Sequence, residues 1–302
     1  MAGSGSKWLK GCGIGCGIIV LLLIVVAVFG FFLVRRAFKD FHIMEASFKE
    51  LQQAHGPAGE YCPAADGGIP ADRLQRFIAI RRQALDAGQE LIASIDSLSK
   101  DIPELDKQED PSAWKVLGVV RRAVGALPEM ARYVNARNAA MLEKEMGLGE
   151  YYYLYSVCYY AFSGHSPQDG PRLPMRQQRK GAYFSWSTDA EDIEDFEQGP
   201  DAVTKEDALA YWNSFFVQVL ENQLQAARSA AGAVDGRWPE TLAAEIKRLK
   251  DNPGSYPWQD GLPPVIAQSL TPTRQDITDT YQPVLNAVEV LFYPGHKGDS
   301  AD

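Results

Sequence analysis

From Gly11 to Val34 the chain has 24 residues without a charged side chain, an Asn, a Gln or a Pro. As a helix rising about 1.5 Å per residue, such a run is roughly 36 Å long, enough to cross a hydrocarbon core of about 30 Å with some tilt. The stretch from Ile18 to Val28 is Ile, Leu and Val apart from Ala27. A helix of this length in a water-soluble domain carries a polar stripe, and this run has none. A single transmembrane helix over residues 11–34, preceded by a short tail at 1–10, is the expected reading.

The run exceeds the ~7–15 apolar residues of a signal peptide, and no small-x-small cleavage site follows it. Phe31, Phe32, Leu33 and Val34 pass directly into Arg35, Arg36 and Lys39, as in a retained signal anchor. A lipoprotein signal does not fit, because the hydrophobic stretch follows Cys12 instead of preceding it. Lys7 and Lys10 on one side nearly balance Arg35, Arg36 and Lys39 on the other, so the positive-inside bias decides little. An uncleaved apolar helix close to the first residue is the usual tether of an exported domain. This favours an extracytoplasmic, periplasmic placement of the rest of the chain in a bacterial envelope. Gly11, Gly13, Gly15 and Gly17 alternate with Cys12 and Cys16, and small residues four apart let membrane helices approach closely.

The remaining 268 residues are long enough for one large domain or two small ones. Lys7 and Lys10 are the only charged side chains before residue 35, so the net charge of −9 becomes −11 for this part. That balance opposes nucleic acid or anionic lipid as a partner of the domain. Cys62 and Cys158 are its only cysteines. They read either as a disulfide across a long loop or as two free thiols.

Apolar periodicity makes this part all-α, a multi-helix soluble domain over residues 56–292, entered by a membrane-proximal helix at 35–55 and followed by a polar tail at 293–302. Phe38, Phe41, Phe48 and Leu51 give the entering helix an apolar seam, expected to dock on its own domain. Pro70 is expected to open one helix running to about Lys100. Ser112 is expected to cap another, Pro128 to begin a separate one ending at Gly147, and Thr204 to open a long one. Two shorter helices are expected at about 239–250 and 273–291, the latter kinked at Pro283.

The segment from Glu150 to Phe162 carries six tyrosines, with Tyr151, Tyr155 and Tyr159 on one helical face. Aromatic side chains on all sides place such a helix either at the centre of the core or against a partner. Residues 164–203 read as a long connection divided into a basic block, the aromatics Tyr183, Phe184 and Trp186, and an acidic block. With Tyr151, Tyr155 and Tyr159, those three aromatics are the candidate partner interface.

Candidate chemistry is sparse. Gly164-His165-Ser166-Pro167-Gln168 begins like a nucleophile elbow, but Gln168 stands where its second glycine belongs. Pro167 also lacks the backbone N–H that the oxyanion hole would need. The histidines are scattered and no Cys-x-x-Cys occurs, so neither a metal site nor a cofactor is expected. The acidic block lacks the ligand spacing of a calcium loop. The favoured expectation is a membrane-anchored, non-catalytic accessory or scaffolding subunit, its partners the bilayer through residues 11–34 and other membrane proteins. An exported hydrolase using carboxylates brought together by the fold is the first alternative, and a ligand-binding ectodomain the second.

Overall fold

The computed structural model describes residues 42–106, 113–170, 176–177, 184–185, 205–230 and 235–291. The proposed membrane helix at 11–34, with Gly11, Gly13, Gly15 and Gly17, lies outside them, as do Ser112, Thr204, Tyr183 and Trp186. Among the described residues no helix is long and apolar enough to cross a membrane.

Apart from one two-residue ladder, the regular structure of the described part is helical, as its periodicity implies. A helix over residues 42–55 (α1) leads into α2 (Ala71–Ala87), α3 (Gln89–Asp106), α4 (Ala113–Glu143) and α5 (Leu148–Tyr155). A widened π-type turn at Ser156–Phe162 continues α5. Then come α6 (Lys205–Ser229), α7 (Trp238–Asp251), α8 (Pro264–Leu270), α9 (Arg274–Asp279) and α10 (Pro283–Leu291). A two-residue antiparallel ladder, β1 (Arg176–Gln177) on β2 (Phe184–Ser185), places Gln177 opposite Phe184.

Several boundaries differ from the sequence expectation, each for a tertiary reason. The helix expected to run from Pro70 to about Lys100 is divided at Gly88. A Cβ there would lie 2.9 Å from Leu285 Cδ1 and 3.2 Å from the Ala84 carbonyl, so the helices turn where Leu285 of α10 leaves little room for a side chain. Pro128 does not begin a helix; it lies inside the 31-residue α4. An internal proline costs about 3 kcal/mol, which the packing of α4 against both α2 and α3 offsets. Gly147 is not the end of α4 but the residue before α5, where a Cβ would lie 2.8 Å from His55 Cβ.

The end of α4 is made instead by Glu145 in the left-handed region, φ 53°. Met146 N–H donates to the Met141 carbonyl and Glu145 N–H to that of Leu142, the paired bonds of a Schellman cap. Arg76 donates to the Lys144 carbonyl (3.0 Å) and to the Glu145 carboxylate (2.8 Å), holding a side chain where glycine is usual. The helix expected to kink at Pro283 is two helices, and Pro283 opens the second.

The core has two joined clusters. The larger gathers α2, α5, α6, α7 and α8 around Tyr151–Tyr155, Trp212, Phe216 and Ile246. The smaller gathers Met44, Leu91, Ile95, Met130, Val134, Leu285 and Val288. Phe48 packs against both, so the seam of α1 does dock on its own domain, with Leu51 fully buried. The α10 helix is buried at every residue from Val284 to Val290, a central position reached late in the chain.

Candidate functional site

The densest chemistry lies at the junction of α2, α4, α5 and α10, and none of it reaches water. Arg81 of α2, Arg137 of α4 and Glu289 of α10 are each 0% exposed. An unpaired charge at such a place would cost several kcal/mol, so every lone pair and proton has to be accounted for. Glu289 Oε1 accepts from Arg81 Nη1 (2.7 Å), from the Tyr151 hydroxyl (2.7 Å) and from the Tyr133 hydroxyl. Its Oε2 accepts from Arg137 Nη1.

Arg81 donates further to the hydroxyls of Tyr133 (3.0 Å), Tyr151 (2.9 Å) and Tyr159 (3.2 Å). Arg137 donates to the Tyr152 hydroxyl (3.1 Å) and, from Nε and Nη2, to Asn138 Oδ1. Asn138 Nδ2 in turn donates to Ser47 Oγ of α1 at 2.8 Å. The guanidinium carbons also lie over aromatic rings, Arg81 5.0 Å from the Tyr155 centroid and Arg137 5.6 Å from that of Phe48. These faces spread a charge that one carboxylate balances only by half.

Burial, the largest single influence on Glu289, would raise its pKa. The Arg137 and Arg81 guanidiniums, with hydroxyl donations from Tyr133 and Tyr151, outweigh it and hold the carboxylate below its ordinary range. Burial pushes the hydroxyls of Tyr151, Tyr155 and Tyr159 up, so they act as neutral donors and acceptors.

The widened turn explains the consecutive tyrosines. In a π turn the chain advances one residue further per turn, and Tyr159 and Tyr160 both face inward with Tyr155. The Tyr155 and Tyr160 hydroxyls donate to Asn286 Oδ1 at 3.2 and 2.6 Å. Asn286 Nδ2 donates to the carbonyls of Pro167 (3.2 Å) and Asp169 (3.0 Å), so α10 fastens the loop after the turn.

In that loop His165 lies flat on Tyr281, ring centroids 3.7 Å apart. Asp169 Oδ2 accepts from the Tyr281 hydroxyl (2.8 Å) and the Ser166 N–H (3.1 Å), and Ser166 Oγ accepts from Gln168 N–H. The elbow-like residues are therefore engaged as a turn. Partial burial lowers the His165 pKa, while Asp169, 3.7 Å from Nδ1, works against that.

The tyrosines expected as a partner surface, Tyr151, Tyr155 and Tyr159, are wholly interior and belong to the core reading of that segment. Phe184 lies in β2, apart from them in the chain. Cys62 is exposed and Cys158 buried, both free thiols, and burial raises the Cys158 pKa. The sequence reading passed over Arg81, Arg137, Asn286 and Glu289. Their signal was present: Asn286 and Glu289, three apart, are the only polar residues in Val-Leu-Asn-Ala-Val-Glu-Val-Leu, an otherwise apolar helix.

Elsewhere, Glu245 accepts from Arg248 and from the Trp258 N–H, and Glu150 from Arg73. A depression of about 440 Å³ is lined by Glu221, Leu224, Gln225, Arg228 and Ser229, all on one face of α6. Among the described residues no three His, Cys, Asp or Glu side chains are grouped to hold a metal. Comparisons with protein-family models, curated proteins and solved structures find no match to the chain.

Proposed function

We propose that the chain is a membrane-anchored, non-catalytic accessory or scaffolding subunit that binds and stabilises partner proteins of a membrane complex. The observation that carries this reading is the use made of the buried ionic groups. Glu150, Glu245 and Glu289 are each gripped by an arginine, and Glu289 is held as an anion by two. A general acid needs the opposite environment, one that raises its pKa and opens to substrate. The arginine-gripped carboxylates hold helices together: α2, α4 and α10 at Glu289, and α2 with α5 at Glu150.

The second support is the sequence of residues 11–34, which suits a retained anchor with a small-residue end. The helix that follows the anchor is built into the core through Leu51, Phe48 and Ser47, so a rigid body is presented near the bilayer. Extraction in a mild detergent at native expression, followed by sizing, tests this. A stoichiometric complex with other membrane proteins is expected; a lone monomer would sink the reading.

A further inference from the structure

Tyr281 differs from the tyrosines of the core in what its hydroxyl meets. A phenol gives up an electron readily only when its proton leaves with it, because the oxidised phenol is a very strong acid. The group that accepts each hydroxyl therefore decides where an oxidised tyrosine can form, and it must lie within hydrogen-bond reach.

Tyr155 and Tyr160 donate to the Asn286 amide oxygen, and Tyr159 to the Thr280 carbonyl at 3.1 Å. These are neutral acceptors, too weakly basic to keep a proton. Tyr133 and Tyr151 donate to Glu289, but a proton on that carboxylate would leave Arg81 and Arg137 unbalanced at a fully buried site. The Tyr281 hydroxyl donates to Asp169 Oδ2 at 2.8 Å. No arginine or lysine among the described residues holds Asp169, and its side chain reaches solvent. Burial first, then the bond to Asp169, pushes the Tyr281 pKa up, so the phenol keeps its proton until an electron leaves.

The ring of Tyr281 is also the outer end of a line of rings. Trp212, in the core, lies 6.3 Å from Tyr155 between centroids, Tyr155 lies 4.7 Å from Tyr159, and Tyr159 lies 5.2 Å from Tyr281. Each step is a ring-to-ring contact across which an electron passes readily. Trp212 and the two inner tyrosines are buried, whereas Tyr281 is half-buried.

We propose that Tyr281 is a redox-active residue, the outlet by which oxidising equivalents that reach the aromatic core leave it. A one-electron oxidant takes an electron from Tyr281 directly, or from Trp212, which is then refilled from Tyr281 through Tyr155 and Tyr159. The Tyr281 O–H bond breaks, an O–H bond forms on Asp169 Oδ2, and the electron ends on the oxidant. Asp169 passes the proton to water. The neutral phenoxyl radical is left where a thiol reductant reaches it and restores the phenol by giving a hydrogen atom.

The test treats the full chain with peroxynitrite and bicarbonate. Together they release carbonate radical, a one-electron oxidant, and nitrogen dioxide, which captures a phenoxyl radical as nitrotyrosine. Tyr61 and Tyr256 are the controls within the same molecule, since both are half-buried and neither hydroxyl bonds to a carboxylate among the described residues. Peptide mapping should show nitration of Tyr281 exceeding theirs by about tenfold, a small share of what a positioned base contributes. Asp169→Asn still accepts the hydroxyl but cannot keep its proton, and should bring Tyr281 down to the level of the controls. A loosened loop would expose the ring and raise nitration, so that fall is not a folding effect. Nitration of Tyr281 at the controls' level in the native chain, or undiminished in Asp169→Asn, would overturn the assignment.

Irradiation at wavelengths that tryptophan absorbs tests the line of rings. Kynurenine at Trp212 should rise several-fold in Tyr281→Phe, while Trp238 and Trp258, off that path, stay as in wild type, which they would not do on unfolding. Equal kynurenine at Trp212 in the two proteins would overturn the outlet.

Discussion

Two guanidiniums and one carboxylate share a fully buried site, and the balance there depends on a single side chain. Glu289→Gln keeps the volume but leaves Arg81 and Arg137 without their counter-charge, so it should destabilise the domain by about 3–5 kcal/mol, read by urea unfolding. The same group sets a pH dependence. Its folded pKa lies below its ordinary value, so its contribution is fully present above the ordinary carboxylate range and is lost as pH falls through the folded value. Wild-type stability should therefore drop with acid more steeply than that of Glu289→Gln; parallel pH profiles would contradict the assignment. The cysteines offer a second residue-level check. Mapping of alkylated peptides should show Cys62 modified in the native protein and Cys158 only after unfolding, since the latter is buried and its pKa raised. The spacing of Leu209, Trp212, Phe216 and Val219 at three and four marks one apolar helical face, and all four are buried. No such spacing marks the partners of Glu289. Arg81 sits beside Arg82, and only the fold makes one interior and the other a half-exposed partner of Asp276.

Among elements, periodicity was enough to give the all-helical class and the courses of α6 and α7, because an amphipathic stripe is a local property of the chain. It was not enough for boundaries at Gly and Pro, whose meaning is set by what lies against them. Gly88 and Gly147 are small because Leu285 and His55 occupy the space where a Cβ would go, and Pro128 is carried within a helix flanked on both sides. α8 was missed altogether, since a seven-residue helix opened by two prolines reads as a turn. Gly149 makes the same point in testable form. A Cβ on it would lie 2.2 Å from the Ala58 carbonyl and 2.5 Å from Tyr61 Cβ, so the start of α5 meets the chain at 58–61 backbone to backbone. Elsewhere in a helix Gly→Ala stabilises by up to about 1 kcal/mol. Here it should destabilise by about 1–3 kcal/mol, because backbone cannot give way as a flexible side chain would. A thermal midpoint equal to or above wild type for Gly149→Ala would mean that this approach is looser than the structure has it.

At the scale of the whole molecule, the proposed anchor would have to hold a domain of net charge −11 at a bilayer whose own surface is anionic. Electrostatics opposes it, so any attachment has to come from apolar area, and residues 11–34 hold the long uncharged run that could supply it. The consequence is sharp, because apolar insertion fails in proportion to charge placed at its centre. Leu22→Arg together with Ile24→Arg should cost about 5–7 kcal/mol on the insertion scale, two charges at about 2.5–3.5 each. The double variant should pass from the carbonate-resistant membrane fraction into the soluble one. Its far-ultraviolet circular dichroism should keep the helical signal of the domain, since the buried charges Arg81, Arg137 and Glu289 find their ion-pair partners in one another. If the variant stays in the membrane with its fold intact, the attachment resides in the domain itself or in a partner. If it unfolds on release, the domain depends on the membrane segment for stability and not only for place. Protease added from the periplasmic side then fixes orientation, which the nearly even lysine and arginine count leaves to experiment: cleavage of the domain in spheroplasts is expected, and full resistance there with cleavage after lysis would put the domain on the cytoplasmic face.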